Sequence, residues 1–507
     1  MRTSVRAVQA LVLLAGFYLI ALGALAAIAV VDVLVLTHLD SGSGPGSSGL
    51  GSSGLGAAKL VLFSFVVAVP LVRGVFLVRR PKDEAPPGVS VTERQQPELW
   101  QRVRDLAEQV GTRAPDEIRL IPAVNAAVSE NPRFLGLVPG HRRMLVGVPL
   151  LIGLTEPQLE AVLAHELGHY SNRDTRLAGI TVRGRQSLLT VVQHARAGGR
   201  NITASLFTAY AKLYFRVSES VGRRQELAAD LAAARIAGRD HAAGALRQLP
   251  ALDAAYDFYL QRYAGVGWDA GLLPLAEEFY GGFRSLLSSS QRQEELDRLR
   301  SEPPVQETSP YDSHPPIAQR VAELEALPAD GRAVTGLEAP ALSLLRDVEP
   351  LFAAVGAAAL PPKAAGKRPV PWDELARGAG RAALVKEGAV ATEAFRLALS
   401  RPLNGLADLL GAVDAGRLDA IAAQLPKRTT TAAPQGRDAA AAAFRPLVLL
   451  ALVDAGRATF AQSWEQPLHI EFDPPTLGDA LKLALDAAIA TPPDTAPLRA
   501  LLGTPLD

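Results

Sequence analysis

The feature that most constrains the fold of this chain is the pentapeptide HELGH at residues 165–169. It lies late in a run whose apolar residues recur at helical spacing, namely Leu159, Val162, Leu163 and Leu167. Thr155 followed by Gln158 is a capping-box pattern, which marks the start of this helix. The sequence therefore predicts one amphipathic helix that carries both histidines.

The two histidines of this HExxH motif are four residues apart, so both imidazoles point the same way on a helix. His165 and His169 can then bind one metal ion while Glu166 reaches a water molecule on that ion. This is the core pattern of a zinc hydrolase. With only three fixed positions, the pattern arises by chance in roughly one chain in a hundred of this size, so its context must support it.

A third ligand is predicted downstream, because catalytic zinc sites keep three protein ligands and leave the fourth position to water. Glu226 and Asp230 are four residues apart on a second predicted helix, which points both carboxylates the same way. One of them can bind metal while the other accepts a hydrogen bond from a liganding imidazole. Without the first motif, a solvated face with Glu226 paired to Arg223 would be favoured.

Composition limits the classes of partner. The 507 residues allow two or three domains, and 52 Lys plus Arg balance 52 Asp plus Glu, so no global field favours nucleic acid. No nucleic-acid partner is predicted. The chain has no cysteine, which excludes disulfides and thiolate ligands.

The N-terminal 80 residues have the pattern of a membrane hairpin. Residues 11–31 carry no charge and are long enough to cross a hydrocarbon core about 30 Å thick. A second apolar run at residues 60–78 is interrupted by a proline and by Arg73, and residues 41–56 between the runs are mostly Gly and Ser. The sequence predicts two spans joined by a flexible loop.

Basic residues flank both outer ends of the predicted hairpin and are absent from its loop. By the positive-inside rule, the protein is predicted to be a multi-pass protein of the cell membrane, in contact with the lipid bilayer, with its catalytic domain in the cytoplasm. A cleaved signal peptide is the alternative for the first run, although that run is longer than a typical signal core.

Residues 81–330 are predicted to form the catalytic domain. Segments 117–122 and 144–151 have the short apolar character of strands. An edge strand of such a sheet can pair with an extended peptide and present the scissile bond to zinc. Within residues 188–217, soluble helices are favoured over further spans, and an interfacial helix near residues 206–217 stays open.

His314 is a further candidate because two prolines follow it and then a helical run. The prolines restrict the backbone and can hold the imidazole where it stabilises the oxyanion of a tetrahedral intermediate. Taken alone, a histidine in a surface turn is the favoured interpretation.

The tail at residues 339–507 is rich in Ala, Leu, Pro and Gly, with linker-like composition at residues 361–371 and 427–437. The pentapeptide VDAGR occurs at residues 413–417 and again at 453–457, in both cases where Gly can end a helix. A helical accessory domain is predicted.

Three motifs in this order carry a family resemblance: HELGH at 165–169, ExxxD at 226–230 and SHPP at 313–316. Behind a membrane hairpin, they resemble the membrane-bound zinc metalloprotease family that contains HtpX and the CAAX prenyl protease. The segment VNAA at 124–127 is similar to the family's Asn-Ala segment. The resemblance covers roughly residues 97–327, and the HtpX-like branch is the better match because the prenyl protease branch is richer in membrane spans.

The resemblance implies a gluzincin-type site in which one Zn²⁺ per chain is bound by three residues, His165, His169 and Glu226. It implies Glu166 as the general base and His314 as a residue near the transition state. Asp230 is similar to the family carboxylate that hydrogen-bonds a liganding histidine.

The predicted fold class is α+β. It combines an N-terminal transmembrane helical hairpin at residues 1–80, a mainly helical gluzincin-type metalloprotease domain with a small sheet at 81–330, and a helical C-terminal domain at 339–507. The predicted activity is that of a zinc metalloendopeptidase acting on misfolded or membrane-associated proteins. Alternatives are a prenyl-protein-type protease or a zinc-binding membrane scaffold or holdase without turnover. The intact Glu166 argues against a scaffold, since a structural zinc site needs no general base.

Overall fold

The computed structural model describes residues 88–130, 140–170, 201–302, 315–332, 334–426 and 435–503, with scattered positions between 12 and 37. The chain divides into two compact units. Unit 1 comprises Met1–Ala251 and Arg298–Arg346, and unit 2 comprises Leu252–Asp297 and Asp347–Asp507.

Helices dominate the described part of the chain. In chain order they are α1 (Pro97–Val110), α2 (Val148–Gly153), α3 (Glu156–Gly168), α4 (Asn201–Ala237), α5 (Arg239–Tyr259), α6 (Ala276–Ser288), α7 (Ser290–Ser301), α8 (Ile317–Glu325), α9 (Val348–Ala359), α10 (Trp372–Leu399), α11 (Leu406–Asp414), α12 (Leu418–Ala422), α13 (Gly436–Asp454), α14 (Leu477–Ile489) and α15 (Ala496–Leu502).

The strands of the described residues are short. In chain order they are β1 (Val89–Val91), β2 (Glu117–Ile121), β3 (Ala126–Glu130), β4 (Arg142–Gly147), β5 (Leu272–Pro274), β6 (Arg368–Val370), β7 (Ala458–Ala461) and β8 (His469–Phe472).

Strands β1 to β4 form the sheet of unit 1 in the order β1-β2-β4-β3. β2 and β4 are parallel, while β1 and β3 run antiparallel to their neighbours. Because β3 is last in the strand order, it is an edge strand of the described sheet. In β2, Ile118 and Leu120 are fully buried and alternate with partly exposed residues, as expected for a strand with one face on a core.

The predicted strand at residues 117–122 is confirmed, but the one at 144–151 is only half correct. β4 ends at Gly147, and residues 148–153 form α2 with Pro149 in its first turn, a position that prolines favour. Gly147 is needed at this switch, because a Cβ atom there would lie 2.1 Å from the carbonyl oxygen of Ala123.

The predicted transmembrane hairpin is wrong. In the described part of the chain, no helix is both long enough and apolar enough to cross a membrane.

The longest described helix, α4, carries ionised side chains along its length, among them Arg223, Glu226 and Asp230. The second predicted span at residues 60–78 and the loop at 41–56 lie outside the described residues, as do residues 188–200. The predicted cytoplasmic placement of the catalytic domain rested on the hairpin and stays a prediction.

Unit 2 has an aromatic core drawn from distant parts of the chain. The rings in mutual contact are Tyr256, Tyr259, Tyr263, Phe279, Tyr280, Phe283, Phe352, Trp372 and Trp464. Strand β5 pairs in parallel with β6, although almost a hundred residues separate them. This pairing and these rings join Leu252–Asp297 to the C-terminal residues.

The two VDAGR segments end helices, as predicted. α11 ends at Asp414 and α13 at Asp454, and two residues later Gly416 and Gly456 have φ angles of 75° and 69°. Residues with a side chain rarely adopt this left-handed conformation, which explains the glycine in both copies.

Candidate metal centre

The start of α3 is fixed by hydrogen bonds from two directions. The backbone N–H of Thr155 donates to Oε1 of Gln158 at 3.1 Å, which is half of the predicted capping box. Glu156 donates its N–H to the carbonyl of Ala339 at 2.7 Å, and Ala341 donates to the carbonyl of Leu154 at 2.9 Å. Residues 339–346, here called the strap, therefore hold the beginning of the helix that ends at the site.

The end of α3 lies against α4. A Cβ atom on Gly168 would be 3.3 Å from the Cα atom of Ala229 and 3.5 Å from the Cβ atom of Ala232. Small residues on both helices thus let the two backbones approach closely. His169 comes directly after Gly168, and Asp230 comes directly after Ala229, so this contact brings the histidine and the carboxylate motifs to one place.

His165 of α3, His169 directly after α3 and Glu226 of α4 converge with their ligand atoms. The Nε2 atoms of His165 and His169 are 3.2 Å apart. Glu226 places Oε2 at 3.6 Å from Nε2 of His165 and Oε1 at 3.6 Å from Nε2 of His169. His165 and Glu226 are buried, and His169 is partly buried.

The spacing of these atoms fits a metal ion. Zinc binds histidine nitrogen and carboxylate oxygen at about 2.0–2.2 Å, so two ligands of a tetrahedral ion lie about 3.3 Å apart. The observed separations of 3.2 to 3.6 Å match that value. Two nitrogens and one oxygen are also a donor set that zinc uses in catalytic sites.

Asp230 contacts the far side of the first histidine. Its Oδ1 atom accepts a hydrogen bond from Nδ1 of His165 at 2.9 Å. A proton held on Nδ1 leaves the lone pair on Nε2, which faces His169 and Glu226. Asp230 thereby fixes both the tautomer and the ring orientation that metal binding needs.

Arg320 completes the buried network from α8. It donates from Nε to Oδ2 of Asp230 at 2.9 Å and from Nη2 to Oδ1 at 2.6 Å, and its Nη1 atom lies 3.8 Å from Oε2 of Glu226. Val321 and Leu324 pack α8 into a cluster with alanines of α4 and α5, which holds Arg320 in place.

Asp230 and Arg320 stabilise each other's ionised form. Burial by itself would raise the pKa of the Asp230 carboxyl, but hydrogen bonds from Arg320 and His165 outweigh burial and lower the pKa to about 2. Burial would likewise lower the pKa of Arg320, and its hydrogen bond to Asp230 raises it instead. Both groups are therefore ionised at neutral pH.

The site has an excess of negative charge. The carboxylates of Asp230, Glu226 and Glu166 all contribute to raising the pKa of Arg320. The described site thus has three acidic side chains and one arginine, an excess of acidic groups that suits a cation. The donor set, its spacing and its charge all fit zinc.

The structure brings together four of the predicted site residues: His165, His169, Glu226 and Asp230. Glu166 lies on α3 beside the first histidine and is half-buried. His314 lies outside the described residues. Its assignment and the ligand assignments remain predictions about function.

Sequence reasoning missed Arg320. The signal for it was its position, because Arg320 shares the buried face of α8 with Val321 and Leu324. A charged residue in the apolar stripe of a short helix indicates a buried partner.

Arg320→Met is expected to lower the free energy of unfolding by about 3–5 kcal/mol in the presence of a chelator. It leaves Asp230 and Glu226 buried without their guanidinium, and loss of one partner of a buried ion pair is costly. Denaturant unfolding measures the effect. Arg320→Lys, which keeps the charge but loses the two parallel hydrogen bonds, should recover part of the loss. Equal stability of all three proteins would contradict the buried pair.

The region that holds this site is similar to known proteins. Residues 93–327 match the model of Peptidase family M48. The Protease HtpX homolog of Thermococcus kodakarensis is 31% identical over 168 residues, which cover 30% of this chain and 56% of that protein. The homolog of Nostoc sp. is 30% identical over 178 residues, which cover 32% of this chain and 60% of that protein.

A longer alignment joins this chain to the Protease HtpX homolog of Sulfurihydrogenibium sp., which is 28% identical over 249 residues, or 46% of this chain and 74% of that protein. The chain spans little more than half the length of the first two relatives. No solved structure gave a significant match. The stretch that holds α3, α4 and α8 therefore resembles peptidase family M48, and the chain is similar in part to Protease HtpX homologues.

Proposed function

We propose that this chain is a zinc-dependent endopeptidase. The observation that carries the proposal is the convergence of His165, His169 and Glu226, whose ligand atoms lie within 4.8 Å of one another in a region that matches the model of a peptidase family. These three residues would hold the ion. Asp230 and Arg320 would keep the first histidine oriented for it.

Bound zinc supplies a Lewis acid, which makes water a nucleophile near neutral pH and polarises a carbonyl group. Glu166 lies one residue from the first ligand on the same helix. In the proposed reaction its carboxylate accepts the proton of the attacking water and passes it to the leaving amine. His314 is proposed to donate a hydrogen bond to the oxyanion of the tetrahedral intermediate.

The proposed substrates are extended segments of unfolded proteins. β3 is an edge strand of the described sheet and packs against α3, the helix that carries His165 and is followed directly by His169. A strand edge binds an extended peptide through main-chain hydrogen bonds, which any sequence can make. Such binding selects chains that have lost their native structure.

A direct test is cleavage of a reduced and alkylated, labelled protein by the purified full chain. Cleavage is expected with zinc, should cease with a chelator, and should return when zinc is added back. A scaffold or holdase would bind the unfolded protein and leave it intact under all three conditions, which would refute the proposed activity.

His314→Ala is expected to retain zinc and to lower kcat by roughly a hundredfold to a thousandfold, as for loss of one oxyanion donor. Zinc content and kcat are measured on the same preparation. A histidine in a surface turn predicts unchanged turnover, so wild-type kcat would remove His314 from the reaction.

A further inference from the structure

The backbone of β3 presents alternate residues to its outer edge. Gly147 donates its N–H to the carbonyl of Asn125 at 2.8 Å, so these two residues form a hydrogen-bonded pair at the end of the β3–β4 ladder. Pairs in an antiparallel ladder alternate. Ala126, opposite Val146, and Val128, opposite Met144, are then non-hydrogen-bonded pairs whose N–H and C=O groups point away from β4.

Tyr170 reaches one of these outward groups. Its hydroxyl donates to the carbonyl of Val128 at 2.7 Å. Tyr170 is the residue directly after His169, so a side chain adjacent to a predicted metal ligand binds the same strand edge that the proposed substrate would use.

Arg142 and Thr112 hold Tyr170 in this position. The guanidinium of Arg142 stacks on the Tyr170 ring, with 4.9 Å between Cζ and the ring centroid. The backbone carbonyl of Tyr170 accepts a hydrogen bond from the Thr112 hydroxyl at 3.1 Å. Arg142 is buried and bound by Glu130, the last residue of β3, at 2.9 Å. The ring is therefore fixed to the strand at two points.

We infer that Tyr170 limits how far an extended substrate can pair with β3. The inference rests on the proposed peptidase function and deepens it. The hydroxyl occupies the Val128 carbonyl, so a peptide can form main-chain hydrogen bonds at Ala126 but must compete with Tyr170 at Val128. Residues of the peptide that extend past the Ala126 pair therefore gain less affinity than they would on a free strand edge, and the site favours short extended segments.

The test measures binding without turnover, in the Glu166→Gln protein loaded with zinc. Fluorescence anisotropy gives the Kd of labelled peptides of one sequence that are lengthened residue by residue from either end. With Tyr170 present, Kd should fall little further once the Ala126 pair is made. Tyr170→Phe keeps the ring and its contact with Arg142 but frees the carbonyl, and lengthening at one end only should then lower Kd by about threefold to tenfold, as for one added hydrogen bond.

Tyr263→Phe is the matched control, because the Tyr263 hydroxyl also donates to a backbone carbonyl, that of Ser463 at 3.0 Å, within unit 2. It should leave the dependence of Kd on length unchanged. Tyr170→Leu, which removes the ring edge as well, should behave like Tyr170→Phe. Identical length dependence with and without the Tyr170 hydroxyl and ring would overturn the inference. If the peptides bind as expected but the protein with native Glu166 cleaves no substrate, the peptidase function is refuted and this inference stands.

Discussion

Glu166→Gln is expected to retain zinc and to lose at least about 99% of wild-type turnover. The amide has nearly the size of the carboxylate but cannot accept the proton of the attacking water, and general-base catalysis contributes about a hundredfold or more. His165, His169 and Glu226 are unchanged, so zinc content measured by atomic emission should match wild type. The rate is measured with the unfolded-protein substrate.

Glu160→Gln is the matched control for this variant. Glu160 is on the same helix, but its carboxylate pairs with Arg102 of α1. The same substitution there should leave both zinc content and turnover close to wild type. Comparable turnover in Glu166→Gln and Glu160→Gln would rule out Glu166 as the base.

Glu226→Ala is expected to weaken zinc binding by about a thousandfold. Structural sites bind zinc with a free energy of about 10–16 kcal/mol, so removal of one ligand is expected to cost several kcal/mol of binding free energy. Asp230→Asn removes the acceptor for Nδ1 of His165 but no ligand, so it should cost only about tenfold to a hundredfold. Competition with a chelating dye measures both affinities.

The order of these two effects is the decisive result. If Asp230→Asn weakened zinc binding more than Glu226→Ala, the roles of the two carboxylates would be exchanged. Wild-type affinity in Glu226→Ala would mean that the third ligand is another residue. Circular dichroism of both variants with zinc checks that the helices remain.

Local spacing made the site predictable. A four-residue interval on a helix fixes which side chains share a face, so the HELGH and ExxxD segments each define a helix face through their spacing alone. Arg320 could not be found in this way, since its partner Asp230 is 90 residues away in sequence. Only the packing of α8 on α4 brings the two together.

The prediction of the transmembrane hairpin also depended on a sequence pattern that does not fix the three-dimensional structure. A run of apolar residues predicts that a segment avoids water, but it does not by itself determine whether the segment crosses a membrane. The grouping of Leu252–Asp297 with the C-terminal residues was equally hidden, because the pairing of β5 with β6 joins strands that are far apart in sequence and only three residues long. Such short strands leave no periodic signal.

The strap shows that the recognisable family segment and the folding unit have different boundaries. The family match ends at residue 327, whereas Ala341 and Leu344 of the strap are buried in unit 1, and Gln96 at the start of α1 exchanges two hydrogen bonds with the backbone of Arg346. A fragment that ends at residue 327 would lose the hydrogen bonds that hold the first turn of α3 and would expose apolar surface. Alignment alone therefore defines a fragment that lacks part of unit 1, and that fragment also separates Leu252–Asp297 from the C-terminal residues with which they form unit 2.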